Sequence, residues 1–358
     1  MHTRLFSVFL LLALLPSLLC SQAPEAQKLP SSPEEVLRTA RDFYDLETPG
    51  LHPIHLKAHY QLYDAYGKAT VAGSWEYWWS PLKRDHSQWI RDGKQVDEWL
   101  KSDGSSYRTH ADIPLHYAER NLPLFMLHPL AQELATEKSA EDKDRAHFRD
   151  ELKLVPADKP EAACVLRYRE VGIKGTLQVP KNTTPAELCF DLQHGALLMS
   201  ESGGIRHNYL HILKTQGKFF ARELDATVEK QMLFSVVVDS ISTVSEEDPA
   251  FTPSAEAQPK SLPHREDAGV ATGSLLKKVA PEYPVLAKMN GERGKVVLAA
   301  QIGTDGKIHD LESIFSPSRL LDEAARKAVQ HWEYRPYLLD GQPVEVETLI
   351  NVIFMLGN

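Results

Sequence analysis

The sequence predicts an α+β protein with three parts. They are an N-terminal antiparallel curved sheet or half-barrel with helices, a flexible linker, and a C-terminal β-β-α-β domain. Three observations carry this. Short aromatic and β-branched runs between residues 55 and 110 are punctuated by Asp92-Gly93 and Asp103-Gly104, pairs that supply the positive φ angles of tight hairpins. Residues 245–273 are rich in Pro, Ala, Glu and Ser and poor in apolar residues, a composition that cannot bury enough surface to offset ordering. Beyond them come two alternating runs across Gly303-Thr304-Asp305-Gly306, one helical run and a final β-prone run.

The 358 residues suffice for two ordinary domains, and 42% hydrophobic with 25% charged residues is a globular composition. The net charge of −9, with no dense Lys/Arg cluster, argues against nucleic acid as a partner.

Residues 1–20 read as a signal peptide. His2 and Arg4 precede the uncharged run Leu5–Leu19, and Pro16 and Ser17 lie near its end. Fifteen residues fall short of the roughly 20 that span a bilayer. The expectation is export, or a short inner-membrane anchor if the segment is retained. Leu19 stands before Cys20 where a lipobox wants a small residue. Two cysteines then remain, Cys164 and Cys189, both in strand-like runs. In an exported chain they form one disulfide or stay as two buried thiols.

The N-terminal domain is expected over 31–244. Ser32 and Pro33 suit the cap and first position of a helix whose apolar face is Val36, Ala40, Phe43 and Tyr44. The period then switches to two in His55–Asp64 and Ala69–Pro81, followed by hairpins through His110. Pro114–Leu134 looks helical but holds Pro123 and Pro129, which predicts two short helices. Strand-like runs resume at Phe148–Leu154, Cys164–Glu170, Leu188–Gln193, Ala196–Ser200, Tyr209–Leu213, Lys218–Leu224 and Gln231–Thr243.

The C-terminal domain is expected over 274–358. Tyr283-Pro284 sets an extended entry, because a residue before proline avoids the helical region. Lys295–Ile302 pairs with Lys307–Ile314. Leu321, Ala324, Ala325, Ala328, Val329 and Trp332 recur at helical spacing, with Asp322 in the first turn. Pro336 stops the helix, Trp332 and Tyr334 lock it onto the sheet, and Asp340-Gly341 turns the chain into a last strand over Val344–Met355.

No catalytic constellation emerges, and neither an enzyme nor a cofactor is expected. His207 and His211 have zinc-like spacing, but residue 208 is Asn where a metalloprotease needs Glu. His52, His55 and His59 cluster without a ligand pattern. Asn182-Thr183-Thr184 is a glycosylation sequon. Gly-x-Ser-x-Gly, phosphate-loop and dinucleotide patterns are absent.

The C-terminal stretch resembles the C-terminal domain of TonB-family energy transducers. The matching residues are Pro281-x-Tyr283-Pro284, Ala287, Gly294-x-Val296, Asp305-Gly306, Ser316, Leu321-Asp322-x-Ala324-Ala325, Trp332-x-Tyr334-x-Pro336, Gly341-x-Pro343-Val344, and the final strand through Val352 and Phe354. The resemblance implies a periplasmic protein that captures a short segment of an outer-membrane receptor, or of another envelope protein, by strand addition. Carried over by position, the partner-binding residues would be Tyr283, Pro284, Glu347, Thr348, Leu349, Ile350, Asn351, Val352, Ile353 and Phe354. Trp332, Tyr334, Pro336 and Gly341 would be structural. The alternatives are an edge covered by the chain itself or by a second copy in a homodimer. The apolar run lacks histidine and the family's long Pro-Lys/Pro-Glu spacer is missing, which departs from a complete transducer. The N-terminal domain loosely resembles LolA/LolB-like lipoprotein-carrier folds, and this implies a lipid or apolar ligand within the curved sheet. Its aromatic run Trp75, Tyr77, Trp78 and Trp79 equally suits an ordinary packed core.

Overall fold

The structure is a computed structural model. It describes residues 32–130, 147–157, 161–173, 176–178, 185–261, 263–265, 275–339 and 341–356. The signal segment, the glycosylation sequon, Asp340 and most of 262–274 lie outside the described residues.

Helix α1 (Pro33–Tyr44) begins as the sequence predicts: the Ser32 hydroxyl accepts the Glu35 N–H at 3.2 Å and Pro33 opens the first turn. There follow β1 (Ile54–Tyr63), β2 (Ala69–Ser80), β3 (Arg84–Arg91), β4 (Lys94–Leu100) and β5 (Ser106–Arg108). Asp92 and Gly93, with φ of 49° and 71°, make the tight turn between β3 and β4. Helix α2 (Tyr117–Leu127) comes next, then β6 (His147–Pro156), β7 (Ala162–Ile173), β8 (Thr176–Gln178), β9 (Ala186–Asp191), β10 (Leu197–Ser202), β11 (Ile205–Leu210), β12 (Leu213–Thr215), β13 (Lys218–Phe220), β14 (Glu223–Val228) and β15 (Gln231–Thr243). All but β12 and β13 join one large sheet, in which β1 sits between β2 and β15, and β14, β11, β10, β9, β7 and β6 extend it.

Alternation along β1 buries Ile54, Leu56, Ala58, Tyr60 and Leu62 on one face. That face packs on α1, α2 and the buried Trp75, Tyr77 and Trp89 in one core. Three expectations are corrected here. Pro123 lies inside one helix, Tyr117–Leu127, rather than interrupting it, and residues 131–134 of the expected helical stretch lie outside the described residues. Proline removes the N–H that would bond the Glu119 carbonyl, yet burial of Leu122, Phe125, Met126 and Leu127 outweighs that loss. Lys218–Leu224 is two strands, because the chain breaks at Ala221-Arg222 and only β14 enters the large sheet.

The third correction concerns the linker. Residues 245–260 are a strap across the outer face of the sheet. Pro249–Phe251 forms a 3-10 turn, and β16 (Gln258–Pro259) pairs antiparallel with β5. Beneath the strap His55, Trp78, His86 and Trp99 stand opposite one another on β1 to β4 and stack at centroid spacings of 4.0, 4.7 and 4.4 Å. Trp99 donates to the Ala250 carbonyl at 2.9 Å, Arg84 pairs with Glu246 at 2.8 Å, and Phe251 is buried under Arg84. Composition misjudges this segment because a few anchors, not its average polarity, hold it down.

The C-terminal part contains β17 (His264–Arg265), β18 (Leu275–Lys277), α3 (Val285–Met289), β19 (Gly294–Ile302), β20 (Ile308–Phe315), α4 (Arg319–Val329), β21 (Glu333–Tyr334), β22 (Tyr337–Leu339), β23 (Gln342–Val344) and β24 (Val346–Phe354). The order β17-β24-β19-β20 makes a sheet, with Val296, Leu298, Ala300, Ile350, Val352 and Phe354 buried under Leu321, Ala325, Val329 and Trp332. Ser318 caps α4, and Asp322 lies in its first turn. Gly341, with φ of 78°, turns a separate β22-β23 hairpin, so the last strand starts at Val346 rather than Val344. Trp332 donates to the Val279 carbonyl at 2.8 Å, and Tyr334 N–H donates to the Gly306 carbonyl at 2.8 Å. A Cβ at Gly306 would lie 2.0 Å from the Tyr334 carbonyl oxygen, so only glycine fits there.

Candidate partner-binding edge and the docked sheet

The two outer strands of the C-terminal sheet differ. At β20, α4 covers the backbone: Arg326 donates to the Leu311 carbonyl at 2.9 Å and Gln330 to the Ile308 carbonyl at 3.1 Å. At its end Ser316 N–H bonds the Ala65 carbonyl at 2.9 Å. At β24, β17 pairs in parallel with Val346 and Glu347. Among the described residues no strand pairs with the outer side of Thr348–Phe354. An unpaired strand edge presents N–H and C=O groups to an incoming segment.

Side chains along β24 alternate. Thr348, Ile350, Val352 and Phe354 point under α4 and are buried. Glu347, Leu349, Asn351 and Ile353 point the other way. Three of these meet the N-terminal part of the chain, with Asn351 also exposed to solvent. Glu347 accepts from Arg120 at 2.7 Å and from Asn121 at 2.9 Å. Leu349 packs against Gly203 in the β10-β11 turn, and Asn351 donates to the Gly203 carbonyl at 3.1 Å. Only Ile353, 62% exposed, projects outward. At the far end the Tyr283 ring packs edge-on against Phe354 at 5.3 Å, and Pro284 precedes α3. Val285, Leu286, Met289, Ile353 and Met355 are exposed large apolar residues of this region. The structure thus brings Tyr283, Pro284 and Phe354 together at one end of β24, while Glu347, Leu349 and Asn351 serve a different contact.

That contact is extensive. Val297, Ala299, Ile314 and Phe315 lie on the sheet face opposite α4 and belong to the N-terminal core. Both faces of the C-terminal sheet are therefore buried. A polar network rims the contact at the start of α2. The Glu312 carboxylate accepts from Tyr117 N–H at 2.6 Å and meets His116 Nδ1 at 3.1 Å. Glu119, fully buried, accepts from Tyr60 at 2.5 Å, Arg91 at 2.9 Å and His116 N–H at 2.8 Å. The hydrogen bond to Glu312 raises the His116 pKa above its ordinary value, against the opposing effect of burial. Burial, then the Glu119 charge, raises that of Tyr60, so its hydroxyl stays a donor. Tyr66 donates to Asp322 at 3.0 Å, and burial with the Asp322 charge pushes it up to about 12. Sequence reasoning missed Arg120, Asn121, His116 and Glu312. The Glu119 half of the local cap, at three residues from His116, was legible, but the cross-chain partners lie about 195 to 227 positions away.

In the N-terminal part, a cleft of about 500 Å³ opens at the other end of α2, lined by Tyr44, Leu46, Trp79, Leu100, Arg84 and His128. His207 is buried and packs on Phe125 and Phe234, and burial lowers its pKa to about 4. This keeps it neutral. His211 is not beside it: the side chain is largely exposed and meets Glu223 at 3.8 Å. His55 and His59 pair with Glu76 and Asp239 on neighbouring strands.

Cys164 and Cys189 stand opposite each other on β7 and β9 and are disulfide-bonded. Glu187 beside them completes a Cys-Glu-Cys group, but both sulfurs are committed to the bridge. Closing a loop of this length restricts the unfolded chain by about 2–4 kcal/mol. We expect a Cys164→Ser/Cys189→Ser variant to lose about that much in urea unfolding, and thiol titration of the denatured, unreduced protein to find neither thiol. Loss below 0.5 kcal/mol would mean the bridge is not formed in solution.

Comparison with known proteins bears on the C-terminal sheet. The family model described as Gram-negative bacterial TonB protein C-terminal matches residues 279–356. By this match the stretch is TonB-like. "Protein TonB" of Pseudomonas aeruginosa is 33% identical over 101 residues, covering 26% of this chain and 29% of that protein. "Protein TonB" of Vibrio cholerae is 31% identical over 80 residues, covering 22% of this chain and 33% of that one. The chain therefore spans a third or less of these relatives. The solution structure of the P. aeruginosa TonB C-terminal domain is 30% identical, covers 24% of this chain and 86% of that one, and has a TM-score of 0.21. For the N-terminal part, a putative outer membrane lipoprotein-sorting protein domain from Vibrio parahaemolyticus is 11% identical, covers 61% of this chain and 97% of that one, and has a TM-score of 0.38. No helix among the described residues of this chain is long and apolar enough to cross a membrane.

Proposed function

We propose that this chain is a non-enzymatic, exported envelope protein whose TonB-like domain captures an extended segment of an outer-membrane receptor, or of another envelope protein, along Thr348–Phe354 of β24. The observation that carries this reading is the asymmetry of the sheet: α4 covers the β20 edge, while β17 covers only the first two residues of β24. Strand addition there draws affinity from backbone hydrogen bonds. The exposed apolar residues Val285, Leu286 and Ile353 offer side-chain contacts at its end.

In-cell photo-crosslinking tests the reading. The crosslinker belongs at Ile353 and Met355, because Glu347, Leu349 and Asn351 face the chain's own N-terminal part. Adducts to the N-terminal segment of a receptor or other envelope protein are expected at Ile353, and loss of those adducts when Val352 is replaced by proline, which cannot donate to a ladder. Adducts only between copies of this chain would replace capture by homodimerisation.

A second reading has its own observation. The cleft at the end of α2 is lined by Tyr44, Leu46 and Trp79, which belong to the N-terminal core. A lipid or other apolar ligand could enter the curved sheet there. Lipid extraction of the purified full chain followed by mass spectrometry tests it, and a lipid-free protein counts against it.

A further inference from the structure

One helix touches both of the regions just described. The first turns of α2 carry Arg120 and Asn121, bonded to Glu347 on the proposed capture strand, and His116 and Tyr117, bonded to Glu312 on β20. Its later turns carry Leu122, Phe125 and Met126 into the N-terminal core, and His128 at its end lines the cleft. Glu347 is 5% exposed, so its carboxylate has exchanged water for the two donors of α2.

We propose that Glu347 and Glu312 form a releasable latch on α2, so that separation of the TonB-like sheet from the N-terminal part loosens α2 and opens the apolar core to a ligand through the cleft. In the docked state both carboxylates bond α2. In the released state Arg120 and Asn121 part from Glu347, and the helix loses the partners that fix its first turn. Coupling of this kind needs two sites and an element that both bias, and α2 is that element. The latch rests on the strand-capture reading only for what pulls it open in the cell.

The charges around the latch make it proton-linked. Glu119, Glu312 and Glu347 face Arg91 and Arg120, with the Arg108–Glu98 pair alongside adding one charge of each sign. Three carboxylates against two guanidiniums leave one negative charge, which a protonated His116 balances. His116 has a raised pKa in the docked state, so its contribution is complete below about pH 6.5. It is lost as pH rises through the higher docked value.

Hydrogen exchange of the full chain, with 1-N-phenylnaphthylamine fluorescence as the readout of apolar access, tests the latch without any partner. Glu347→Gln and Arg120→Gln should each speed exchange of residues 117–127 at least tenfold and raise dye fluorescence, with β1 and β15 unaffected. In the wild type, moving from pH 5.5 to pH 8.5 should speed exchange of the same residues beyond the intrinsic base-catalysed rise. A lock is available: a Cβ built at Gly203 lies 3.8 Å from the Leu349 Cβ, a spacing at which disulfides form. In a Gly203→Cys/Leu349→Cys/Glu347→Gln chain, oxidation should return exchange and dye binding toward the docked level relative to the same chain reduced. The latch is overturned if α2 exchange is unmoved by the variants and by pH, if β1 and β15 accelerate equally, or if oxidation leaves dye binding unchanged. Failure of capture would appear separately, as missing adducts at Ile353 with a latch that still responds to pH.

Discussion

Replacing Glu119 with alanine is expected to lower unfolding free energy by about 3–5 kcal/mol. The carboxylate has no exposure and serves three donors: the Tyr60 hydroxyl, the Arg91 guanidinium and the His116 N–H. Its loss leaves a largely buried guanidinium without its counter-ion and a buried hydroxyl without its acceptor. Each of these costs more than the hydrogen bond contributed when made. Urea unfolding at pH 7, with matched Glu119→Ala, Arg91→Met and double variants, measures the effect. The double variant should be less destabilised than the sum of the singles by at least 1 kcal/mol. Additivity would mean the pair does not interact. The network also explains how a helix with Pro123 in its interior persists: its first turn is held by Glu119 and Glu312, and its later turns by core packing.

Trp332→Ala should cost a similar amount, about 3–5 kcal/mol. The indole is 7% exposed in the second core, donates to the Val279 carbonyl at 2.8 Å, and has Lys278 above its ring at 5.3 Å. Alanine would leave a cavity between α4 and the sheet and an unpaired carbonyl. Trp332→Phe should lose only about 1–2 kcal/mol, because most of the packing remains and one hydrogen bond goes. Thermal unfolding followed by far-UV circular dichroism separates the two. Equal losses would assign the effect to the indole N–H alone. Since the C-terminal sheet is buried on both faces, the alanine variant should also weaken docking onto the N-terminal part, visible as faster exchange at Val297 and Ala299.

Much of the fold was legible locally. Ser32-Pro33 sets the start of α1, Asp92-Gly93 sets a hairpin, and period-two alternation sets β1. The helix α4 follows from its apolar spacing and the packing of Trp332 from its place at the end of that spacing. These signals lie within a few residues of the structure they specify, so one sequence suffices to read them. Misreadings arose where tertiary burial overrode a local rule. By local rules Pro123 is a break, but it sits in a helix that the core holds together; by composition residues 245–260 are a linker, but Phe251, Trp99 and Arg84 hold them down. The resemblance to a family places the proposed partner-binding stretch on β24, but it does not give the direction of the side chains there.

By itself the sequence determined the α+β class, the order of the C-terminal elements and the TonB-like character of residues 279–356, because those depend on turn chemistry, periodicity and residue spacing along the chain. Only the tertiary structure decided that Glu347, Leu349 and Asn351 face the N-terminal part, that Glu347 meets Arg120, and that the sheet is covered on both faces. Those facts depend on contacts between residues some two hundred positions apart. Each such contact needs both parts in place, where burial removes water from Glu347 and leaves the donors of α2 as its partners.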